Sequence, residues 1–303
     1  MASRAMAQDK RADTALLRDA MARGRFVTYQ PTGLKAIDGV LTSASAESVR
    51  ADLTILRPHF DSLITYGALA GNEMVPDIAA SLGFRAVVMG VWDGNDSREV
   101  ANAIAAWRRN PKIVAGVGVG NEVMLGKRGA WTDLARMLDR TRALAPGLAL
   151  STTETFAQFL DDSDAASVLT RMDFMLVNIH PVFESWFKTA PAFNRADFVV
   201  RAVYLLARKF SGPILVKETG VPTAPVAAGF SQDAQGAFYR ALEKQFVSSR
   251  DRAFSYFSAF DAPWRVQDFT PTPGTHDEEA HWGIFDATRR PKKIIAGIPP
   301  FRT

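Results

Sequence analysis

The stretch Ile214-Leu-Val-Lys-Glu-Thr-Gly-Val-Pro-Thr223 decides the fold. Its apolar run ends at the acidic residue Glu218, and a glycine and a proline follow soon after. This order is typical of a buried strand of a parallel sheet that stops at a carboxylate and continues into a rigid loop. A second stretch, Lys112-Ile-Val-Ala-Gly-Val-Gly-Val-Gly-Asn-Glu-Val123, has the same design and ends on Asn121 and Glu122. We therefore predict two buried strands, each of which presents a glutamate at its carboxyl end.

Apolar runs of this kind recur along the whole chain and alternate with stretches of helical periodicity. Runs bounded by turn residues predict strands, and apolar residues at helical spacing predict the helices between them. The predicted strands lie at residues 25–31, 60–66, 84–92, 113–120, 148–153, 174–180, 214–218 and 253–260. Eight βα units in one continuous run predict an α/β fold, a single closed (β/α)8 TIM barrel. We expect residues 1–24 to form a leading helix or arm and residues 25–303 to form the barrel.

Composition excludes several classes of protein. With 47% hydrophobic residues the 303-residue chain is expected to fold around a sizeable core, and its 36 Lys and Arg are scattered, so no nucleic-acid partner is predicted. The absence of cysteine excludes disulfides and thiolate metal sites, and no apolar run is long enough to span a membrane. His276 and His281 flank a run of acidic residues, which we interpret as solvated surface and not as a metal site. We predict a monomer without metal or cofactor.

The residues that follow the predicted strands differ in character from the strands themselves. Side chains at the carboxyl ends of barrel strands meet at one mouth of the barrel. The strand-end residues are polar or aromatic, namely Tyr29, Tyr66, Trp92, Asn121, Glu122, Glu154, Asn178, His180, Glu218, Asp261 and Trp264. Glycoside hydrolysis needs two carboxyl groups, one as acid and the other as base or nucleophile. Glu122 and Glu218 are the predicted catalytic pair, and a separation of about 5–5.5 Å would make the reaction retaining.

Several motifs together resemble glycoside hydrolase family 17. Val119-Gly-Asn-Glu-Val123 and Val216-Lys-Glu-Thr-Gly-Val-Pro-Thr223 resemble its acid/base and nucleophile motifs. Three further stretches resemble the family in the same order, namely Val177-Asn-Ile-His-Pro181, Phe257-Ser-Ala-Phe-Asp-Ala-Pro-Trp264 and Glu279-Ala-His-Trp-Gly-Ile-Phe285. The resemblance covers roughly residues 25–290. It implies a retaining (β/α)8 enzyme acting on β-1,3-glucans, with Glu122 as proton donor and Glu218 as nucleophile.

The chain has no cysteines, and in this respect it resembles the bacterial branch of that family. Several members of this branch are transglycosylases that elongate, branch or cyclise β-glucans, and some are fused to membrane synthases. The resemblance therefore implies a β-1,3-glucan transglycosylase with a β-glucan substrate, in the periplasm or at the cell envelope. A β-1,3-glucan hydrolase of the same fold is the alternative, and a non-catalytic glucan-binding barrel is an alternative of a different class. An enzyme for phosphorylated metabolites is disfavoured, because prolines stand where a phosphate-binding loop needs glycines.

Several further residues are predicted to bind the sugar. Asn121 is placed to hydrogen-bond a sugar 2-hydroxyl, and aromatic faces bind pyranose rings through apolar contacts. The predicted substrate-binding residues are Asn121, Tyr29, Tyr66, Glu154, Phe156, Asn178, His180, Trp264 and Glu279, and Phe183 and Trp186 are further candidate stacking platforms. Glu154 could equally cap a helix, and His180 could be a core histidine.

Two residues depart from the family pattern. An aromatic residue usually stands at the position of Val221, so one aromatic wall near the nucleophile is expected to be missing. Many members carry tyrosine at the position of His180, which puts the usual hydroxyl contact with the nucleophile in doubt. The glycine-rich run 116–120 superficially resembles a dinucleotide-binding loop, but its spacing is wrong, and we interpret it as a closely packed strand.

Overall fold

Eight parallel strands close into a barrel in the computed structural model, which describes residues 12–37, 40–267 and 275–301. Each strand pairs with the next along the chain, and the last pairs with the first. The strands are β1 (Phe26–Thr28), β2 (Ser62–Ile64), β3 (Ala86–Val91), β4 (Val114–Asn121), β5 (Leu150–Thr155), β6 (Met175–Asn178), β7 (Ile214–Glu218) and β8 (Arg252–Tyr256). The predicted closed (β/α)8 barrel is confirmed.

Helices fill the connections between the strands. The α-helices are α1 (Ala15–Arg23), α2 (Ala46–Leu56), α3 (Val75–Ser81), α4 (Ser97–Arg109), α5 (Trp131–Leu144), α6 (Phe156–Asp161), α7 (Ala166–Leu169), α8 (Ala192–Leu206) and α9 (Gln232–Gln245). Short 3-10 helices lie at Asn72–Met74, Ser163–Ala165, Pro181–Phe183, Val226–Ala228, Pro263–Gln267, Asp277–His281 and Lys293–Gly297, and a small antiparallel ribbon pairs Ala36–Ile37 with Val40–Leu41. No helix of the described residues combines the length and apolarity needed to cross a membrane.

Polar side chains in the sequence fix where several helices begin. Ser45 accepts a hydrogen bond from the backbone at the start of α2, Asp96 does so at α4, and Ser231 at α9. Each satisfies an amide that the first helical turn leaves unpaired. These caps set the point at which each helix turns back along the outside of the barrel.

The glycines of β4 allow large side chains to fill the barrel interior. A Cβ atom at Gly116 would lie 2.6 Å from the Phe174 ring, and one at Gly118 would lie 2.7 Å from Leu176. No side chain fits at such distances, because they are shorter than van der Waals contact. The run 116–120 is therefore a closely packed barrel strand, as predicted.

The leading segment closes the amino-terminal end of the barrel. Of the two alternatives, helix or arm, the structure has helix α1, and residues 1–11 lie outside the described residues. Leu17 and Met21 of α1 are fully buried in a cluster with residues from the strands, such as Phe26 and Ile64. Arg18 also forms a salt bridge with Asp251. The helix thus seals one end of the barrel and leaves the carboxyl ends of the strands open.

Candidate active site

Glu122 lies at a sharp turn directly after β4. Its backbone has φ +49° and that of Gly120 has φ +84°, so the chain reverses direction within a few residues. A left-handed backbone costs a non-glycine residue about 1–2 kcal/mol, so the surrounding contacts must hold it. The Glu122 amide donates to the Thr153 carbonyl of β5 (2.8 Å), and its carbonyl accepts from the Gly126 amide (2.9 Å). These bonds place the Glu122 side chain at the mouth.

Glu154 stabilises the turn that follows Glu122. Its carboxylate accepts hydrogen bonds from the amides of Met124 (3.0 Å) and Leu125 (3.5 Å). Burial raises the pKa of Glu154 to about 7; the amide of Met124 opposes this shift and the charge of Glu122 adds to it. The side chain is fully buried, so the structure does not support the predicted sugar contact. Glu154 therefore stabilises the backbone of the turn after β4.

Glu218 ends β7, and its carboxylate lies next to an imidazole and an ammonium. His180 Nε2 lies 3.2 Å from Glu218 Oε2 and donates to it when the carboxylate is ionised, since an ionised carboxylate only accepts. The ammonium of Lys217 lies 3.5 Å from Glu218 Oε1. Burial alone would raise the pKa of Glu218, but the His180 hydrogen bond and the Lys217 charge outweigh it and lower the pKa to about 2.

Asn178 connects the two glutamates through the end of β6. Its side-chain nitrogen donates to Glu122 Oε1 (2.9 Å), and its backbone pairs with Glu218 in the β6–β7 ladder. Burial raises the pKa of Glu122, and the charge of Glu218 raises it further against the Asn178 hydrogen bond. The site therefore favours a protonated Glu122 beside an ionised Glu218.

A buried pair of a carboxylate and a guanidinium lies next to this site. The buried side chain of Glu279 accepts from Arg265 at 3.1 Å, and the Arg265 guanidinium lies 5.0 Å from the centre of the Phe257 ring. Burial raises the pKa of Glu279, and the charge of Arg265 opposes the shift. His276 contacts Glu278 (2.9 Å), and within the described ranges no three His, Asp or Glu side chains form a group suited to a metal ion.

A cavity of about 410 Å³ opens next to the carboxyl ends of β1 and β8. Tyr66 and Trp264 line it, as the sequence predicted for residues at the mouth. The Tyr66 hydroxyl is buried near Thr28 and Glu218 but makes no hydrogen bond of normal geometry with the described residues. The remaining lining residues are Gln30, Pro31, Thr32, Lys35, Phe257, Ser258, Phe260, Asp261, Ala262, Pro263, Arg265 and Ala287.

Tyr29 is not a mouth residue. Its side chain is fully buried in the core, and its hydroxyl donates to Asp52 Oδ2 of α2 (2.8 Å). Tyr29 faces the helix that follows β1, so the predicted contact with substrate is corrected to a structural contact.

Phe156 belongs to an aromatic group that is not part of the cavity lining. Its half-buried ring lies 5.3 Å from Phe198, which is also 5.3 Å from Trp186. Phe183, in contrast, is 56% exposed. These rings follow β5 and β6, whereas the cavity lies next to β1 and β8.

The two departures from the family pattern have visible consequences. His180 itself contacts Glu218 through Nε2, so an imidazole makes the contact with this carboxylate that the missing tyrosine put in doubt. Val221 is fully buried, and Trp282 packs against His180 (5.2 Å between ring centres) and Phe257 (5.0 Å). Trp282 thus supplies an aromatic neighbour from a different part of the chain.

Lys217 is the site residue that the sequence reasoning missed. It is only 2% exposed, although it lies within the apolar run of β7. A lysine in a buried strand, directly before a glutamate that ends the strand, was the available signal. Asn121, predicted to bind the sugar, lies against it and accepts a hydrogen bond from its ammonium.

Comparison with known proteins shows which family the chain belongs to. Residues 27–283 match the sequence model of the BtgE/BtgC glycoside hydrolase domain. The chain belongs to this family. Among curated proteins, this family member is 26% identical over 278 residues to a glucan 1,3-beta-glucosidase of Arthroderma benhamiae, covering 86% of this chain and 87% of the relative. A glucan 1,3-beta-glucosidase of Saccharomyces cerevisiae is 24% identical, with 84% and 86% covered.

Solved structures of glycan-active enzymes share the fold of this BtgE/BtgC family member. An endo-laminarinase from Formosa Hel1_33_131 superposes with a TM-score of 0.73 at 19% identity, covering 89% of this chain and 85% of that one. A Rhizomucor miehei beta-1,3-glucanosyltransferase mutant in complex with laminaritriose gives a TM-score of 0.67 at 20% identity, with 89% and 95% covered. The resemblance to glycoside hydrolase family 17 is confirmed, and the chain is an enzyme of the glycosidase and transglycosylase class.

Proposed function

We propose that this protein is a retaining β-1,3-glucan transglycosylase in which Glu218 is the nucleophile and Glu122 the acid/base. One observation carries the proposal, namely the opposite environments of two carboxyl groups that meet at the end of β6. Burial and the charge of Glu218 raise the pKa of Glu122, whereas His180 and Lys217 lower that of Glu218. Neighbouring carboxyls with diverging pKa values are the pattern of an acid paired with a nucleophile.

The proposed reaction has two displacement steps. The Glu218 carboxylate attacks the anomeric carbon, and Glu122 donates its proton to the departing glycosidic oxygen as the C–O bond breaks. A glycosyl ester on Glu218 results. Glu122, now ionised, then removes a proton from an acceptor hydroxyl, whose oxygen displaces Glu218 from the anomeric carbon. Both substitutions invert the configuration, so the product retains that of the substrate.

One feature supports a β-1,3-glucan donor, and a second supports a sugar acceptor in the second step. The curated relatives are glucan 1,3-beta-glucosidases, and one structural neighbour is a beta-1,3-glucanosyltransferase, which supports a β-1,3-glucan as donor. The aromatic group of Phe156, Trp186 and Phe198 follows β5 and β6, whereas the cavity lies next to β1 and β8. Such rings can hold an acceptor sugar while the cavity holds the donor.

Hydrolysis is the second candidate, because the relatives' names describe glucosidases. Water would then replace the sugar hydroxyl as acceptor, with the same two glutamates in the same roles.

Incubation with linear β-1,3-oligoglucosides separates these functions. We expect products longer than the substrate, analysed by mass spectrometry; shorter products alone would identify a hydrolase. Glu218→Gln and Glu122→Gln should each lower turnover by at least about 10²–10⁴-fold. Glu47→Gln, at an exposed glutamate of α2, is the matched control and should retain activity. Full turnover by Glu218→Gln would exclude Glu218 as nucleophile, and a folded wild type without any products would contradict the proposed function.

A further inference from the structure

The ammonium of Lys217 is buried between three elements of the barrel mouth. It lies 3.5 Å from Glu218 Oε1, donates to Asn121 Oδ1 after β4, and lies 4.4 Å from the centre of the Tyr66 ring after β2. Burying an ammonium costs free energy unless hydrogen bonds and opposite charge compensate. Here each of its three N–H groups has a neighbour that accepts or attracts it. This set of contacts gives Lys217 a specific position at the active site.

We propose that Lys217 is a positioning residue, whose buried charge keeps Glu218 ionised and whose hydrogen bond turns the amide nitrogen of Asn121 toward the substrate. The inference rests on the proposed function and deepens it.

The first part of the proposal follows from the surroundings of Glu218. Among the described residues, no donor makes a hydrogen bond of normal geometry with Glu218 Oε1, so the nearby ammonium is what faces this oxygen. The other charged and titratable groups that act on Glu218 or on Lys217 are Glu122 after β4, His180 after β6, Tyr66 after β2, and Arg265 and Glu279 after β8. Without Lys217, burial would favour the protonated and unreactive form of Glu218.

The second part follows from the donor chemistry of lysine. An ammonium has only donors, so the atom of Asn121 that contacts it must be the amide oxygen. The NH2 group of Asn121 then points away from Lys217. A donor held in this way can bond the oxygen of a sugar hydroxyl, the contact expected of Asn121. An uncharged residue at position 217 would leave the amide free to rotate.

Titration of Glu218 in the intact protein tests the proposal without relying on turnover. The protein is labelled with ¹³C at glutamate carboxyls, and the Glu218 signal is identified by its loss in Glu218→Gln. In the wild type we expect Glu218 to titrate far below the other glutamates. In Lys217→Met the midpoint should rise by at least one pH unit, and Lys217→Arg should restore most of the shift. Lys293→Met, at an exposed lysine paired with Asp233, is the control and should change nothing.

Kinetics supply a second readout. The acid limb of the kcat/KM profile should move upward with the Glu218 midpoint in Lys217→Met, so that its activity falls more at pH 4 than at pH 6. A purely structural role would lower activity equally at both. If Lys217→Met does not fold, Lys217→Gln provides the same loss of charge. An unchanged Glu218 midpoint in the folded uncharged variant would overturn the proposal. Absence of glucan turnover in the wild type would refute the proposed function, while the titration would still decide the role of Lys217.

Discussion

At the scale of single residues, the pKa values of Glu122 and Glu218 differ because different groups contact their carboxyl oxygens. Glu122 contacts a neutral amide from Asn178, whereas Glu218 contacts His180 and faces Lys217. A hydrogen bond to the ionised form lowers a carboxyl pKa, and burial raises it. The same chemical group can therefore serve as acid at one strand end and as nucleophile at another.

His180 gives a prediction at this scale. His180→Phe keeps an aromatic ring among Phe183, Phe257 and Trp282 but removes the donor to Glu218. The pKa of Glu218 should rise. On acidification, the variant should therefore lose activity at a higher pH than the wild type does. We expect the acid limb of the kcat/KM profile to move upward by about one pH unit or more. His180→Gln, which retains a donor, should move it less; identical profiles for both variants and the wild type would contradict this role.

The sequence predicts some of these residues and misplaces others for one physical reason. A carboxylate at the end of a buried strand is visible in the sequence, and the structure places Glu122 and Glu218 at the ends of β4 and β7. Successive side chains of a strand point to opposite faces, and a shift of one residue exchanges the faces. A strand-end position therefore does not say whether a side chain faces the mouth or a helix. For this reason Tyr29 contacts helix α2 and Glu154 contacts the turn after β4 instead of the mouth. The burial of Lys217 between distant strands is likewise not visible in the sequence.

At the scale of elements, the turn after β4 depends on Glu154 of the next strand. The raised pKa of this carboxyl means that the folded protein binds a proton more tightly than the unfolded chain. The contribution of Glu154 to the stability of the folded protein is thus fully present below pH 4.5, which is the ordinary pKa of this carboxyl. It is lost as the pH rises through about 7. The shift corresponds to about 3 kcal/mol.

Glu154→Gln should remove this dependence on pH. We expect the variant to gain stability relative to the wild type by up to about 3 kcal/mol between pH 4.5 and 8, measured by urea unfolding. Glu47→Gln, at an exposed glutamate, is the matched control and should show no such gain. Parallel stability curves for Glu154→Gln and the wild type would show that Glu154 does not titrate in this range.

The elements themselves were predictable to different degrees. Strands of a parallel barrel are buried on both faces, so they form continuous apolar runs that are easily recognised. Helix α6 was missed, because it begins directly after β5 with Thr155 as its cap and has only six residues. So short a helix does not show a clear periodicity.

At the scale of the whole molecule, stability and chemistry lie at opposite ends of the barrel. Helix α1 buries Leu17 at the amino-terminal end, whereas the glutamates lie at the carboxyl ends of the strands. Leu17→Ala leaves a cavity and should lower the free energy of unfolding by about 2–5 kcal/mol. The kcat/KM of the folded variant at low temperature should be unchanged. Val247→Ala, at a residue that is 82% exposed, should change stability by less than about 0.5 kcal/mol. A large loss of kcat/KM in fully folded Leu17→Ala would contradict this separation.

The central claim is that Glu218 forms a covalent bond with the sugar. The most direct measurement is peptide mapping after incubation with a 2-deoxy-2-fluoro laminaribiosyl fluoride, whose fluorine slows release of the glycosyl ester more than its formation. The account predicts a mass increase of one fluorinated disaccharide on the peptide that contains Glu218, and none in Glu218→Gln. A label on another residue, or products of inverted anomeric configuration without any label, would contradict it.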